Sequence, residues 1–160
     1  VQTCALPISF RSVSLVALLA LTLIPTSFVI QRPGPVFNTL GTSTDAAGDE
    51  VLRSFAEQLR AALRQSDILC RWGGEEFILL LKGTGSSTAR QLAEKIREQT
   101  EQEVFLFNGV NLRITTSIGV TELQGDENMD RLIARADRAL YRAKQSGRNR
   151  VCEDAGGLQS

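Results

Sequence analysis

From residue 48 onward the apolar positions follow two alternating periods. Leu52, Phe55, Leu59 and Leu63 recur at spacings of three and four, with Glu50, Arg53, Glu57 and Arg60 on the outer face. That spacing predicts an amphipathic helix opening at Gly48-Asp49-Glu50 and ending near Gln65. Two β-prone runs follow, Ile68 to Trp72 and Glu75 to Leu81, around Gly73-Gly74. They predict a hairpin whose turn glycines take positive φ. After the loop from Gly83 to Ser87, Ser86 or Ser87 is expected to cap a helix that turns Ala89, Leu92, Ala93 and Ile96 inward. Val104 to Phe107 and Val110 to Val120 flank Asn108-Gly109, a strong hairpin signal. Asn128 to Asp130 should cap a last helix with Leu132, Ile133, Ala136, Leu140 and Ala143 inward, stopping at Gly147. Val151 begins a short final strand. Antiparallel pairing mixed with covering helices reads as α/β of the α+β kind, a mostly antiparallel sheet under helices.

The chain before residue 45 is different. Arg11, Arg32 and Asp45 are its only charged side chains, and Val13 to Ile30 is an apolar run broken by Ser14, Thr22, Pro25, Thr26 and Ser27. The run is just long enough to span a bilayer, so its readings are a membrane anchor, a signal segment, a buried strand or helix, or sequence without structure. Pro25 and the missing basic flank disfavour the anchor. Val1 to Ile8 resembles a translated sequencing-library adapter, a scar to set aside before fold reasoning. The expected division is residues 1–45 irregular or artefactual, 46–153 one domain and 154–160 a disordered tail.

Composition narrows the chemistry. With 160 residues and 42% apolar content the chain can bury one core. Eighteen basic and eighteen acidic residues leave no net charge for a general grip on nucleic acid. The absence of histidine excludes imidazole catalysis and His-based metal cages. Cys4, Cys70 and Cys152 form no zinc spacing or disulfide framework.

The chemistry centres on Gly73-Gly74-Glu75-Glu76-Phe77. A bare Gly-Gly lets a phosphate or metal ion approach the backbone, and a carboxylate at a hairpin tip suits Mg²⁺ shared with substrate phosphates. Adjacent strand residues point to opposite faces, so one of Glu75 and Glu76 faces a given ligand squarely. Alone, the same residues also read as an exposed turn with solubilising glutamates.

The run Arg71 to Phe77 resembles the signature of the GGDEF family in its Glu-Glu variant. Arg64-Gln65-Ser66-Asp67, five residues before Gly73, resembles that family's inhibitory product site. Thr116 to Val120 resembles a family strand, and Ala136 to Asn149 the family's last helix and exit. The resemblance implies a diguanylate cyclase that joins two GTP into cyclic di-GMP and releases pyrophosphate. It implies a homodimer and two Mg²⁺ ions per site, in a cytoplasmic domain that is membrane-tethered only if 13–30 inserts. Glu75 then fits the catalytic and metal position, with Glu76 a weaker candidate beside it. Gly73 and Gly74 fit the nucleotide turn, and Asp49 the guanine-reading carboxylate. Lys144 and Arg148 fit the triphosphate contacts, and Arg64 and Asp67 the inhibitory site.

Upstream the pattern breaks. The family's Asp-x-Asp-x-Phe-Lys strand should supply a second metal ligand, and counting back from Asp49 puts Arg32 there. No carboxylate occurs between residues 1 and 44. Three accounts are open: a frameshifted or misassembled stretch, which the adapter-like start favours; a degenerate domain that binds GTP or cyclic di-GMP without catalysis; or an apolar run that replaces the central strand while catalysis is lost. On each, the expectation is a poor or inactive cyclase.

Overall fold

The computed structural model describes residues 16–25, 43–107 and 110–154, with side chains described for 48–105 and 111–154. The adapter-like residues, Arg32, the Asn108-Gly109 turn and residues 155–160 lie outside them.

Ten elements follow in order: β1 Val16–Pro25, α1 Ser43–Ala62, β2 Ile68–Gly73, β3 Glu76–Lys82, α2 Ser86–Gln102, β4 Phe105–Phe107, β5 Val110–Leu112, β6 Ile114–Glu122, α3 Met129–Gln145 and β7 Val151–Asp154. Five strands form one sheet in the order β2-β3-β1-β6-β7, and β4-β5 form a separate ribbon. Only β6 and β7 run parallel; the other main-sheet pairs are antiparallel. The expected α/β sandwich, a mostly antiparallel sheet under helices, is the architecture found.

The apolar run therefore contributes the middle strand. β1 pairs with β3 from Val16↔Lys82 to Thr22↔Glu76, and with β6 from Ala17↔Glu122 to Pro25↔Ile114. Pro25 sits at the strand's last residue, where its missing N–H costs the ladder least. No helix among the described residues is long and apolar enough to cross a membrane.

The strand period sorts β3 between two layers. Phe77, Leu79 and Leu81 bury against Phe55 and Leu59 of α1 and Ala89, Ala93 and Ile96 of α2. Ile78 and Leu80 face the opposite way, with Cys70, against Leu132 and Ala136 of α3. Each large side chain so buried contributes about 1.5–3 kcal/mol. Phe77 meets Phe55 edge to face at 5.5 Å between ring centroids, adding about 1 kcal/mol and fixing the root of the β2–β3 hairpin.

Several local expectations are corrected. Helix α1 begins five residues before Gly48, because Ala46 and Ala47 favour helix and a single interior glycine costs only about 1 kcal/mol. Neither Gly73 nor Gly74 has positive φ. Gly73 pairs with Glu76 after a bulge between Arg71 and Gly73, and that bulge absorbs the twist positive φ would otherwise supply. Neither serine caps α2: its N-cap is Gly85, and the Ser86 N–H donates to Glu122 Oε2 of β6 at 2.8 Å. The strand expected over Val110 to Val120 is split at Arg113 between the ribbon and the main sheet. The cap of α3 is as expected, since the Asn128 side chain accepts from the Arg131 N–H at 3.0 Å.

Helix α3 lies close on β6 because Gly119 has no side chain. A Cβ there would overlap the Ala136 carbonyl oxygen and the Leu140 backbone nitrogen. Arg135, buried in a helix otherwise apolar on its inner face, ties the same layer together. It donates to the Glu122 carbonyl at 2.9 Å, to Glu127 Oε2 at 2.8 Å and to the Asp154 carbonyl at 3.0 Å. Because backbone atoms of an intact helix cannot swing aside, Gly119→Ala should destabilise the domain by about 3 kcal/mol. Thermal unfolding of the variant beside the parent checks this.

Candidate functional site

The β2–β3 hairpin carries the candidate chemistry to the edge of the sheet. Arg71 closes its tip: Nε and Nη2 donate to the Gly74 carbonyl at 3.0 and 2.7 Å. A forked donor on one acceptor holds the turn more firmly than a single bond would. Around Gly73 and Gly74 the space is open, since an added Cβ at Gly74 would meet nothing within 4 Å and one at Gly73 only Glu76 Oε2 at 4.0 Å. Trp72 is half exposed beside them.

The two glutamates part company. Glu75 lies in the exposed turn, and Glu76 begins β3 on the face that α3 covers. Lys144, in the last turn of α3, holds its Nζ 3.4 Å from Glu76 Oε1. The structure thus brings Glu76 and Lys144 together and leaves Glu75 pointing outward from the tip. Across the ladder, the residue paired with Glu76 is Thr22. Arg32, which counting back from Asp49 matches to the expected metal carboxylate, lies outside the described residues. Strand β1, Val-Ala-Leu-Leu-Ala-Leu-Thr-Leu-Ile-Pro, contains no carboxylate. Among the described residues no group of three or more His, Cys, Asp or Glu gathers around a metal-sized space.

Clefts flank the hairpin on both sides. One of about 790 Å³ lies against α1 and is lined by Asp49, Arg53, Arg60, Arg71 and Phe77. Another of about 370 Å³ lies against α3 and is lined by Trp72, Glu76, Asp130, Ile133 and Asp137. Asp49 is exposed on the first turns of α1 and faces the larger cleft with three arginines, a mixture suited to a polar, anionic ligand.

Arg64 and Asp67 sit at the other end of β2. Gly73 lies six positions beyond Asp67, about 20 Å of extended chain. Asp67 is buried. Its Oδ2 accepts the Arg64 N–H at 3.0 Å, and its Oδ1 accepts the Lys82 N–H at 3.3 Å and the Ser66 hydroxyl at 3.5 Å. Its carboxylate closes the α1–β2 turn onto the end of β3, while the Arg64 guanidinium is exposed.

Arg148 sits on an unusual piece of backbone. Gly147, Arg148 and Asn149 have φ of +109°, +59° and +44°. The two non-glycine residues each cost about 1–3 kcal/mol, a strain found mainly where surrounding contacts compensate. Here the Arg148 N–H donates to the Ala143 carbonyl at 3.0 Å and the Asn149 N–H to Ser117 Oγ at 3.2 Å. The Asn149 amide accepts from Arg97 Nη1 at 3.3 Å and donates to Glu101 Oε1 at 2.9 Å. Sequence reasoning did not single out this cluster. Its signal was a charged triplet, Glu94, Arg97 and Glu101, at helical spacing on one face of α2.

The fold and hairpin define a nucleotidyl-cyclase-like sandwich with a carboxylate-bearing tip beside a lysine. The profile described as "Diguanylate cyclase, GGDEF domain" matches residues 38–150. Diguanylate cyclase DgcP of Pseudomonas aeruginosa is 47% identical over 105 residues, 66% of this chain and 16% of that protein. Diguanylate cyclase A of Treponema denticola is 42% identical over 115 residues, 71% of this chain and 31% of that protein. The chain thus spans less than a third of these relatives. The active GGEEF domain of a diguanylate cyclase from Vibrio cholerae superposes with a TM-score of 0.70 at 28% identity, over 89% of this chain and 85% of that one. The GGDEF domain of DgcB from Caulobacter crescentus, in complex with c-di-GMP, gives 0.71 at 26%, over 87% and 77%. This chain belongs to the GGDEF diguanylate cyclase domain family.

The Asn149 contact has a consequence for pH. The Asn149 amide, then Arg97, holds the Glu101 carboxyl below its ordinary value of 4.5. A depressed folded-state value contributes stability above the unfolded value, lost as pH falls through the folded one. Glu101→Gln should therefore flatten the acid limb of the stability profile. The two proteins should differ above about pH 5 and converge as Glu101 protonates, read by denaturant unfolding from pH 7 to pH 3.

Proposed function

We propose that this chain binds GTP at the hairpin site of a diguanylate cyclase domain and, with the sequence it has, does not condense it. The carrying observation is that β1, the middle strand beside the hairpin, holds no carboxylate, with Thr22 the ladder partner of Glu76. The family's chemistry uses metal ions. A Mg²⁺ site needs several oxygen ligands around the cation, and here Glu75, the residue matched to the metal position, is exposed at the tip while Glu76 beside it has Lys144 Nζ 3.4 Å from Oε1. With no carboxylate in residues 1–44, the residues present do not fit a complete metal site. No catalytic step through a metal is therefore assigned.

Nucleotide binding itself needs no such strand. Asp49 is suited to guanine, because one carboxylate accepts from N1–H and the N2 amino group together, donors that adenine does not present as a pair. Lys144 and the exposed Arg148 supply positive charge for the triphosphate, Arg as a fork and Lys as a point charge. The bare Gly73-Gly74 tip gives the phosphates room at the backbone. In an intact cyclase of this family two such protomers face each other, and each 3′-hydroxyl attacks the α-phosphate of the other's nucleotide with loss of pyrophosphate. Glu75, outward at the tip, is suited to act across that interface. Cyclic di-GMP capture rests on the exposed Arg64, since Asp67 is already bonded to backbone donors.

The test is titration with a fluorescent GTP analogue beside an assay for cyclic di-GMP. GTP should bind in preference to ATP, Asp49→Ala should abolish that preference, and Lys144→Ala should weaken binding about tenfold, about 1.4 kcal/mol. No cyclic di-GMP should form with Mg²⁺ present. Thr22→Asp should make GTP affinity Mg²⁺-dependent. Turnover by the unaltered chain would overturn the non-catalytic reading, and equal affinity for ATP and GTP would overturn the role of Asp49.

A further inference from the structure

We infer that Asn149 is a positioning residue, whose amide bridges Arg97 and Glu101 of α2 to the exit of α3 and so holds Arg148 in its left-handed conformation. The role of Arg148 as a phosphate contact rests on the nucleotide reading above; the positioning device does not.

Three consecutive residues at positive φ would relax without external bonds, and those bonds all come from other elements. Ser117 of β6 takes the Asn149 N–H, Ala143 of α3 takes the Arg148 N–H, and α2 takes the Asn149 side chain. The α2 partners are themselves fixed. Arg97 donates to Glu94 at 2.9 Å and to Glu101 at 2.8 Å, and its side chain is only 16% exposed. The Asn149 amide uses both its ends, the oxygen on a cation and the nitrogen on a carboxylate, so its orientation follows from its partners. Neither Asp nor Ser reproduces that pair of bonds. Immediately before it stands Arg148, exposed and, among the described residues, without an ion pair. A cation left unpaired on a braced loop is presented to something outside the fold, and an anionic ligand is the chemistry it fits. Arg150 Nε donates to the Arg148 carbonyl at 3.0 Å, bracing the same residue from the far side.

The discriminating variant is Asn149→Gly, because glycine accepts positive φ without strain and removes only the side-chain bonds. An alanine there would add strain and confuse the reading. Hydrogen exchange of the Arg148 and Asn149 amides and titration with fluorescent GTP are compared in the parent, Asn149→Gly, Arg148→Ala and the double variant. If Asn149 positions Arg148, exchange of those amides rises about tenfold with the thermal midpoint little changed. GTP affinity falls about tenfold, and adding Arg148→Ala to Asn149→Gly costs little more. Exchange in Asn149→Gly matching the parent overturns the inference, and so do fully additive losses of affinity. If no form binds GTP, the nucleotide reading fails, and the exchange rates alone decide whether Asn149 braces the loop. Asn149→Asp combined with Glu101→Gln exchanges donor and acceptor across the same contact, and should restore the parent's exchange rates if that contact is the cause.

Discussion

The architecture depends on a strand in the middle of a sheet. β1 is hydrogen-bonded along both edges, to β3 on one side and β6 on the other, with α2 and α3 packed on its two faces. Without it the order β2-β3-β1-β6-β7 falls into two pairs, β2-β3 and β6-β7, each with an open edge. A strand so enclosed must satisfy two conditions only: every backbone group paired, and no charge left without a partner. Ten residues with no charged side chain meet them. The fold therefore asks this segment for apolarity and length, and for nothing more specific.

On the reading proposed above, catalysis would ask more of the same strand, and the two demands are separable. A carboxylate at the strand end costs burial energy that a bound cation would offset. Removing it relieves the fold of that cost while taking away half of the cation's cage. Thr22 across from Glu76 meets the fold's demand, and on the proposed non-catalytic reading it leaves the metal's unmet. The contact between Lys144 and Glu76 follows from the same logic. A carboxylate at the edge of an apolar layer takes whichever positive charge is within reach, and the last turn of α3 supplies one.

How much of this was legible in the sequence depends on which residues carry the constraint. The helices α2 and α3 were readable because Ala89, Ala93 and Ile96, and Leu132, Ala136 and Leu140, repeat with the helical period and are buried as that period requires. The hairpin was readable from two β-prone runs around Gly73-Gly74. Its turn was misjudged, because a bulge between Arg71 and Gly73, invisible to composition, replaced the positive φ expected of the glycines. The apolar run was ambiguous for a physical reason: a fully enclosed strand loses the alternation that identifies one, and looks like a membrane segment. The pairing of Thr22 with Glu76 was out of reach, since it is set by the register of the sheet and not by spacing along the chain.

The site was legible in its types and not in its contacts. Glu75 and Glu76 were adjacent letters, but the strand period sends Glu76 to the α3 layer and leaves Glu75 on the tip. Asp67 reads as a ligand-binding partner of Arg64, yet its carboxylate serves backbone donors from two segments, Arg64 and Lys82. Such bonds satisfy backbone N–H groups of the α1–β2 turn and of the end of β3 that have no ladder or helical partner. A motif letter can thus be kept by the fold's own needs after, or without, the need for a ligand. Arg148 is the opposite case, because its backbone is held at a cost and its side chain is engaged by nothing among the described residues. Conformational strain compensated by three neighbouring elements, around a cation the fold does not use, argues for function more strongly at that position than the presence of the motif does.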